Sequence, residues 1–231
     1  ACDGDMYNII LNKANKEYKN GNPFFYFLMT NSNHQPYSYP DGFIDESLKG
    51  TREGAVKYAD KMLKNFLEKA KTKPWFKNTV FVIMSDHCAY SSGRTEINVK
   101  NHHIPAYIFN LKNKAPQEVS KLSSQIDIFP TLFGYLNWSY DTNFFGKDIS
   151  KMKPKDERAF IGNSRKIGLL KANKLLILEA QKKHISYQWN KGKNQITPTK
   201  TDSIFLNETI SYYQSAYELF KNGGLKIILK K

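Results

Sequence analysis

Long apolar runs are missing from this sequence. The longest, Phe24–Met29, is strand-sized, far short of the ~20 residues that cross a bilayer as a helix. Arginine is scarce: Arg52, Arg94, Arg158 and Arg165 are the only four. Cysteine is scarcer still, and Cys2 and Cys88 are too few for a disulfide scaffold or a structural zinc site. No leader peptide and no initiator methionine open the chain, so Ala1 reads as a boundary or a processing site.

What is present points to an ordered protein. Of 231 residues, 40% are hydrophobic and 14% aromatic, enough for a real core. The length suits one large domain, or one with a small appendage. Charge is lopsided: 35 Lys and Arg against 21 Asp and Glu give +14. Nucleic-acid binders cluster cations with aromatics or use arginine forks, whereas these lysines are dispersed. A general lysine bias explains most of them. A positive field also suits phosphate-bearing substrates or an anionic membrane surface.

The first two thirds alternate helix-like and strand-like segments. Met6, Ile9, Ile10, Ala14 and Tyr18 lie at helical spacing, with Asp5 as the expected N-cap. Gly21-Asn22-Pro23 breaks that helix, and Phe24–Met29 reads as a strand covered on both faces. Thr51–Lys71 reads as a long helix with Ala55, Tyr58, Met62 and Phe66 in its buried stripe. Two further buried strands are expected at Thr79–Met84 and Ile104–Phe109, then a short helix over Ile126–Leu136. This rhythm argues for an α/β fold with a mostly parallel sheet covered by helices. After about Pro154 the texture changes. Ala159–Ile161, Lys166–Leu170, Leu175–Leu178 and Ser186–Trp189 read as a small antiparallel sheet, 190–203 as a loop, and Asn207–Lys221 as an amphipathic helix stopped by Gly223-Gly224. The division expected is 1–154 and 155–231, packed as one domain.

Ligands of open α/β sheets gather at the carboxyl ends of strands. Four of the five histidines, His34, His87, His102 and His103, lie beside predicted strand ends. Asp86-His87 is the sharpest local signal. A carboxylate and a neutral imidazole on one ion suit Zn²⁺ or Mn²⁺ better than Ca²⁺. The plainer reading is an aspartate capping a turn beside a solvated histidine. His34 reads either as a polar loop residue held by Asn31 or Asn33, or as a proton donor or phosphate ligand. His102 and His103 fit one core and one surface residue, His184 ordinary surface, and Cys88 a small buried residue.

The ordered set of segments resembles the sulfatase-like branch of the alkaline phosphatase superfamily, and within it the membrane-anchored lipoteichoic acid synthase and phosphoglycerol transferase group. The stretches are Asp3-Gly-Asp-Met-Tyr-Asn8, Met29-Thr-Asn-Ser-Asn-His34-Gln-Pro36, Arg52-Glu-Gly-Ala-Val-Lys-Tyr-Ala-Asp60, Thr79-Val-Phe-Val-Ile-Met-Ser-Asp86-His87, His103-Ile-Pro105, Ser124-Gln-Ile-Asp127-Ile-Phe-Pro130-Thr and Phe145-Gly-Lys-Asp148. They cover residues 1–150 in order. The resemblance implies that Asp86 and His87 ligate one divalent metal, Mn²⁺ or Zn²⁺ rather than Ca²⁺. It implies that His34 contacts the anionic group being transferred, and that His103 and Arg94 line the rim. The family's nucleophile, a Thr or a modified Cys or Ser, has no counterpart motif here. The chain is therefore expected to be the C-terminal part of a longer extracytoplasmic enzyme, anchored to the membrane through a missing N-terminal segment, inactive alone and with its metal weak or absent. Its partner would be an anionic phosphate- or sulfate-ester substrate, free or carried on a lipid or glycan, and not a nucleic acid. The competing class is a non-catalytic anion-binding module of the same fold.

Overall fold

The computed structural model describes residues 1–89, 96–112, 114–143 and 145–226, in two compact units, Ala1–Val80 and Phe81–Lys231. The first unit is built on α1 (Asp3–Lys19) and α2 (Arg52–Lys71). Helix α2 buries Ala55, Tyr58 and Met62 of the stripe its spacing predicts; α1 buries Asp3, Leu11 and Ala14, whereas Ile9 and Tyr18, expected at its helical spacing, are exposed. Ala55, Tyr58 and Met62 of α2 form a core with Tyr39, against which Cys2 and Tyr7 pack. Thr51 caps α2 by accepting from the Gly54 N–H at 3.1 Å. Gly54 has to be glycine, because a Cβ there would lie 2.4 Å from the Leu48 carbonyl oxygen.

Two expectations for this unit are corrected. Asp5 is not the N-cap of α1; Cys2 is. Asp5 sits in the first turn and accepts from the Cys2 backbone N–H and thiol, both at 3.1 Å. Those bonds, the backbone one first, hold its carboxyl below the ordinary range. The second correction is Phe24–Met29, which carries no assigned strand and is not covered on both faces. Phe24, Tyr26 and Leu28 are half-buried, while Phe25, Phe27 and Met29 are exposed. That is the two-residue period of an extended chain with one face covered. Phe24 packs edge-on against the buried Trp75.

The second unit opens with β1 (Phe81–Met84) and β2 (Ala106–Phe109). The mostly parallel pairing read from the sequence does not occur among the described residues: β1 and β2 pair antiparallel, Phe81 opposite Phe109 and Met84 opposite Ala106. A 3₁₀ turn at Gln125–Asp127 leads into α3 (Ile128–Tyr135). Pro130 sits in the first turn of α3, where its missing N–H costs nothing.

The expected antiparallel sheet is present and larger. Strands β3 (Ala159–Gly162), β4 (Ile167–Lys171), β5 (Lys174–Leu178), β6 (His184–Asn190) and β7 (Gln195–Thr199) follow one another in space as in sequence. Ala172 and Asn173, both at positive φ, make the tight β4–β5 turn. Strands β4 and β5 are buried on both faces. Leu170, Leu175 and Ile177 pack with Ile97 and Val99 on one side; Leu169 and Leu176 meet Phe205 on the other. Phe205 belongs to α4 (Ser203–Lys221), which Asp202 caps by accepting from the N–H groups of Ile204 and Phe205. This helix begins four residues before its predicted start. It ends as expected, with Gly223 left-handed and the Gly224 N–H reaching back to Leu219 O at 2.7 Å. Strand β7 lies in the polar segment 190–203 read as a loop; it carries Pro198. An outermost strand tolerates a proline. At the opposite edge, the Phe160 N–H of β3 donates to the Ser124 hydroxyl at 2.8 Å.

Candidate functional site

The carboxyl end of β1 runs straight into Ser85-Asp86-His87-Cys88. The Ser85 N–H donates to Pro105 O at 3.3 Å, just before β2. Asp86 turns its carboxylate back so that Oδ1 accepts from the His87 N–H at 2.8 Å. Its other oxygen, Oδ2, lies 3.5 Å from His87 Nε2, and the two side chains are 71% and 54% exposed. His87 Nδ1 is 2.9 Å from Cys88 O. A carbonyl can only accept, so the Nδ1 proton is fixed and the neutral ring presents an Nε2 lone pair on the Asp86 side. The turn thus brings carboxylate and imidazole together, although neighbours on a strand point oppositely.

That pair places two donor atoms of different chemistry side by side. Two donors of one tetrahedral zinc site are about 3.3–3.5 Å apart, given metal–ligand bonds of about 2.0–2.2 Å. The Asp86–His87 separation fits such an edge. Among the described residues no third His, Cys, Asp or Glu joins them in a group that could hold a metal ion.

Cys88 is half-buried rather than buried, and its thiol donates to His103 O at 2.9 Å. The backbone of His103 is therefore tied to the turn, and its side chain is exposed. His102 faces the other way: its Nε2 is 3.1 Å from Gly162 O and its Nδ1 2.9 Å from Asn98 O. It joins the 3₁₀ turn at Val99–His102 to β3. Arg94 lies outside the described residues.

His34 belongs to the first compact unit. Its ring is exposed, with Nδ1 2.9 Å from Gln35 O. The loop that carries it is pinned by an aspartate the sequence reading did not single out as a site residue. Asp3 is 1% exposed, and its Oδ1 accepts from the N–H groups of Asn31 and Ser32 at 3.0 and 2.9 Å. The Asp3 N–H in turn donates to the Ser32 hydroxyl at 3.0 Å.

Two further groups near the β1 turn escaped sequence reasoning. Gln125 Nε2 donates to the carbonyls of Ser85 and Asp86, at 3.0 and 2.8 Å. Two residues on, Asp127 forms a fully buried bidentate pair with Arg158 at 2.8 and 2.9 Å. Its carboxylate also accepts from the N–H groups of Ser124 and Lys147, both at 2.8 Å. The one available signal was Ser124-Gln-Ile-Asp127, the spacing of a capping box.

Comparison with known proteins completes the picture. The family model described as Sulfatase matches residues 3–138, more than half of the chain. The lipoteichoic acid synthase-like protein YvgJ of Bacillus subtilis is 28% identical over 151 residues, 55% of this chain and 24% of that protein. Phosphoglycerol transferase I of Citrobacter koseri is 24% identical over 204 residues, 81% of this chain and 26% of that protein. The chain thus spans about a quarter of the length of these relatives. A solved alkaline phosphatase superfamily protein from Vibrio parahaemolyticus superposes with a TM-score of 0.89 at 29% identity, over 99% of this chain and 56% of that one. The fold is therefore a partial alkaline phosphatase-superfamily fold, and the chain belongs to the sulfatase family.

Proposed function

We propose that this chain is the C-terminal part of an extracytoplasmic, metal-dependent enzyme that hydrolyses or transfers phosphate or sulfate ester groups, with phosphoglycerol transfer the favoured chemistry. Family membership supports the reaction class. The single observation that carries the metal assignment is the Asp86 Oδ2 to His87 Nε2 spacing of 3.5 Å, with the imidazole tautomer set for ligation by Cys88 O. No helix among the described residues is long and apolar enough to cross a membrane; the membrane attachment proposed here rests on the family likeness, through an N-terminal segment.

Asp86 and His87 would hold one Mn²⁺ or Zn²⁺, whose ligand set residues outside this chain complete. Such an ion polarises the ester's anionic oxygens and favours the deprotonated nucleophile. Asp86 supplies charge to the ion, and His87 binds as a neutral ring. His34, with Nδ1 on Gln35 O, keeps Nε2 for substrate; in its charged form that nitrogen donates to a phosphoryl or sulfuryl oxygen, and the bond strengthens as charge develops. His103 and Arg94 are assigned to the rim. The excess of lysines raises the local concentration of an anionic substrate.

The test uses the full-length protein that contains these residues. His87→Ala should abolish Mn²⁺ or Zn²⁺ binding and turnover of a phosphodiester. His34→Ala should lower turnover by roughly 10²-fold with metal content preserved. Residues 1–231 alone should show no turnover. Tight, stoichiometric Ca²⁺ with no transition metal would instead indicate sulfatase-type chemistry. Metal and anion binding without turnover by the full-length protein would identify a binding module.

A further inference from the structure

Nothing in the resemblance assigns a role to Gln125, yet its side chain reaches the β1 turn from α3's leading segment. We propose that Gln125 is a positioning residue that holds the Asp86–His87 turn in its ligating shape; this rests on the reading that the two residues hold a metal. The side-chain amide has two N–H donors, and they find two successive carbonyls, Ser85 O at 3.0 Å and Asp86 O at 2.8 Å. Fixing both carbonyls fixes the peptide plane between them and the orientation of the one that follows, which is the backbone from which Asp86 and His87 project. The Ser85 N–H on Pro105 O and the Cys88 thiol on His103 O secure the two flanks. Gln125 reaches the middle.

The clamp is anchored rather than floating. Gln125 opens the 3₁₀ turn whose third residue is Asp127. Asp127 is buried against Arg158 and also accepts from the Ser124 N–H. A rigid base thus carries a flexible amide to an exposed turn, the arrangement in which a residue behind the ligands tunes metal affinity by about 10–100-fold. The chemistry asks for N–H donors at this point. A carboxylate would repel both carbonyls, and an apolar side chain would leave the turn free.

The experiment compares Gln125→Met, close in size but without donors, and Gln125→Ala with the unaltered full-length protein. Gln214→Met on α4, also at an exposed glutamine, is the control. Three readouts are needed: the Mn²⁺ dissociation constant by calorimetry, the metal-free thermal midpoint, and deuterium uptake of the peptide spanning 81–88. The proposal expects both Gln125 variants to bind Mn²⁺ about 10-fold or more weakly and to take up deuterium faster in 81–88. The midpoint should be unchanged and the control silent. Unchanged affinity and uptake overturn it. So does an affinity loss that follows a fall in midpoint, since that describes a structural residue. If His87→Ala leaves Mn²⁺ affinity intact, the metal reading fails, and deuterium uptake alone decides whether Gln125 clamps the turn.

Discussion

Two acid–base pairs in the second unit differ in almost every physical respect. Asp127 and Arg158 are 0% and 1% exposed in their side chains and meet at 2.8 Å. Asp86 and His87 are 71% and 54% exposed and stand 3.5 Å apart. The first carboxylate accepts from two guanidinium nitrogens and two backbone N–H groups, so its charge is satisfied on every side. The second has one backbone donor and a half-exposed imidazole whose Nε2 stands 3.5 Å away. A saturated pair holds a fold together. An unsaturated, exposed pair is free to take a ligand. Charge alone does not distinguish them; the count of donors and access to water do.

The comparison breaks most visibly at Arg158. Arg158→Met should destabilise the protein by about 3–5 kcal/mol in chemical denaturation, because it strands a buried carboxylate. Replacing both partners, with Asp127→Leu added, should recover much of that loss. A third acid sharpens the contrast. Asp202 is exposed at the α4 cap, yet Lys174 and then the Phe205 and Ile204 N–H groups hold its carboxyl below the ordinary 3.8. A lowered value in the folded state means that its contribution is complete above the unfolded value and fades as pH falls through the folded one. Asp202→Ala should therefore lower the thermal midpoint at pH 7, and the gap to the unaltered protein should close below about pH 4. The smallest effect belongs to His87→Ala, which should change folding stability by no more than about 0.5 kcal/mol, as exposed sites do, while the proposed metal binding should be lost. A large loss of stability there would make the Asp86–His87 pair a structural one.

Much of the second unit was legible because short apolar segments such as Leu175–Leu178 are separated by turn residues such as Ala172-Asn173. Helix α2 announced itself through its stripe, and α1 through helical spacing, although Ile9 and Tyr18 of that spacing face outward. Phe24–Met29 misled because six apolar residues in a row do not say which faces are covered; neighbours do, and here only alternate side chains find them. The antiparallel sense of β1 and β2 was equally hidden, since 21 residues separate the strands and no local pattern encodes direction. At the site, Asp86 and His87 could be named because donor chemistry is written in side-chain type. Gln125 could not, since its part depends on an amide reaching carbonyls 39 and 40 positions away. Asp3 and Asp127 look like ordinary helix-start acids until burial shows what they hold.

The five-stranded sheet finishes differently at its two margins, and this governs what the molecule can join. Along β3 the Phe160 amide is already taken by the Ser124 hydroxyl. Along β7, Pro198 offers no amide hydrogen at all. A strand arriving from a neighbouring molecule meets an occupied donor on one side and a missing one on the other. Fibrillar growth propagates through uninterrupted main-chain pairing, so this sheet is a poor seed for it. The apolar centre of the sheet, β4 and β5, is thereby kept from recruiting copies of itself.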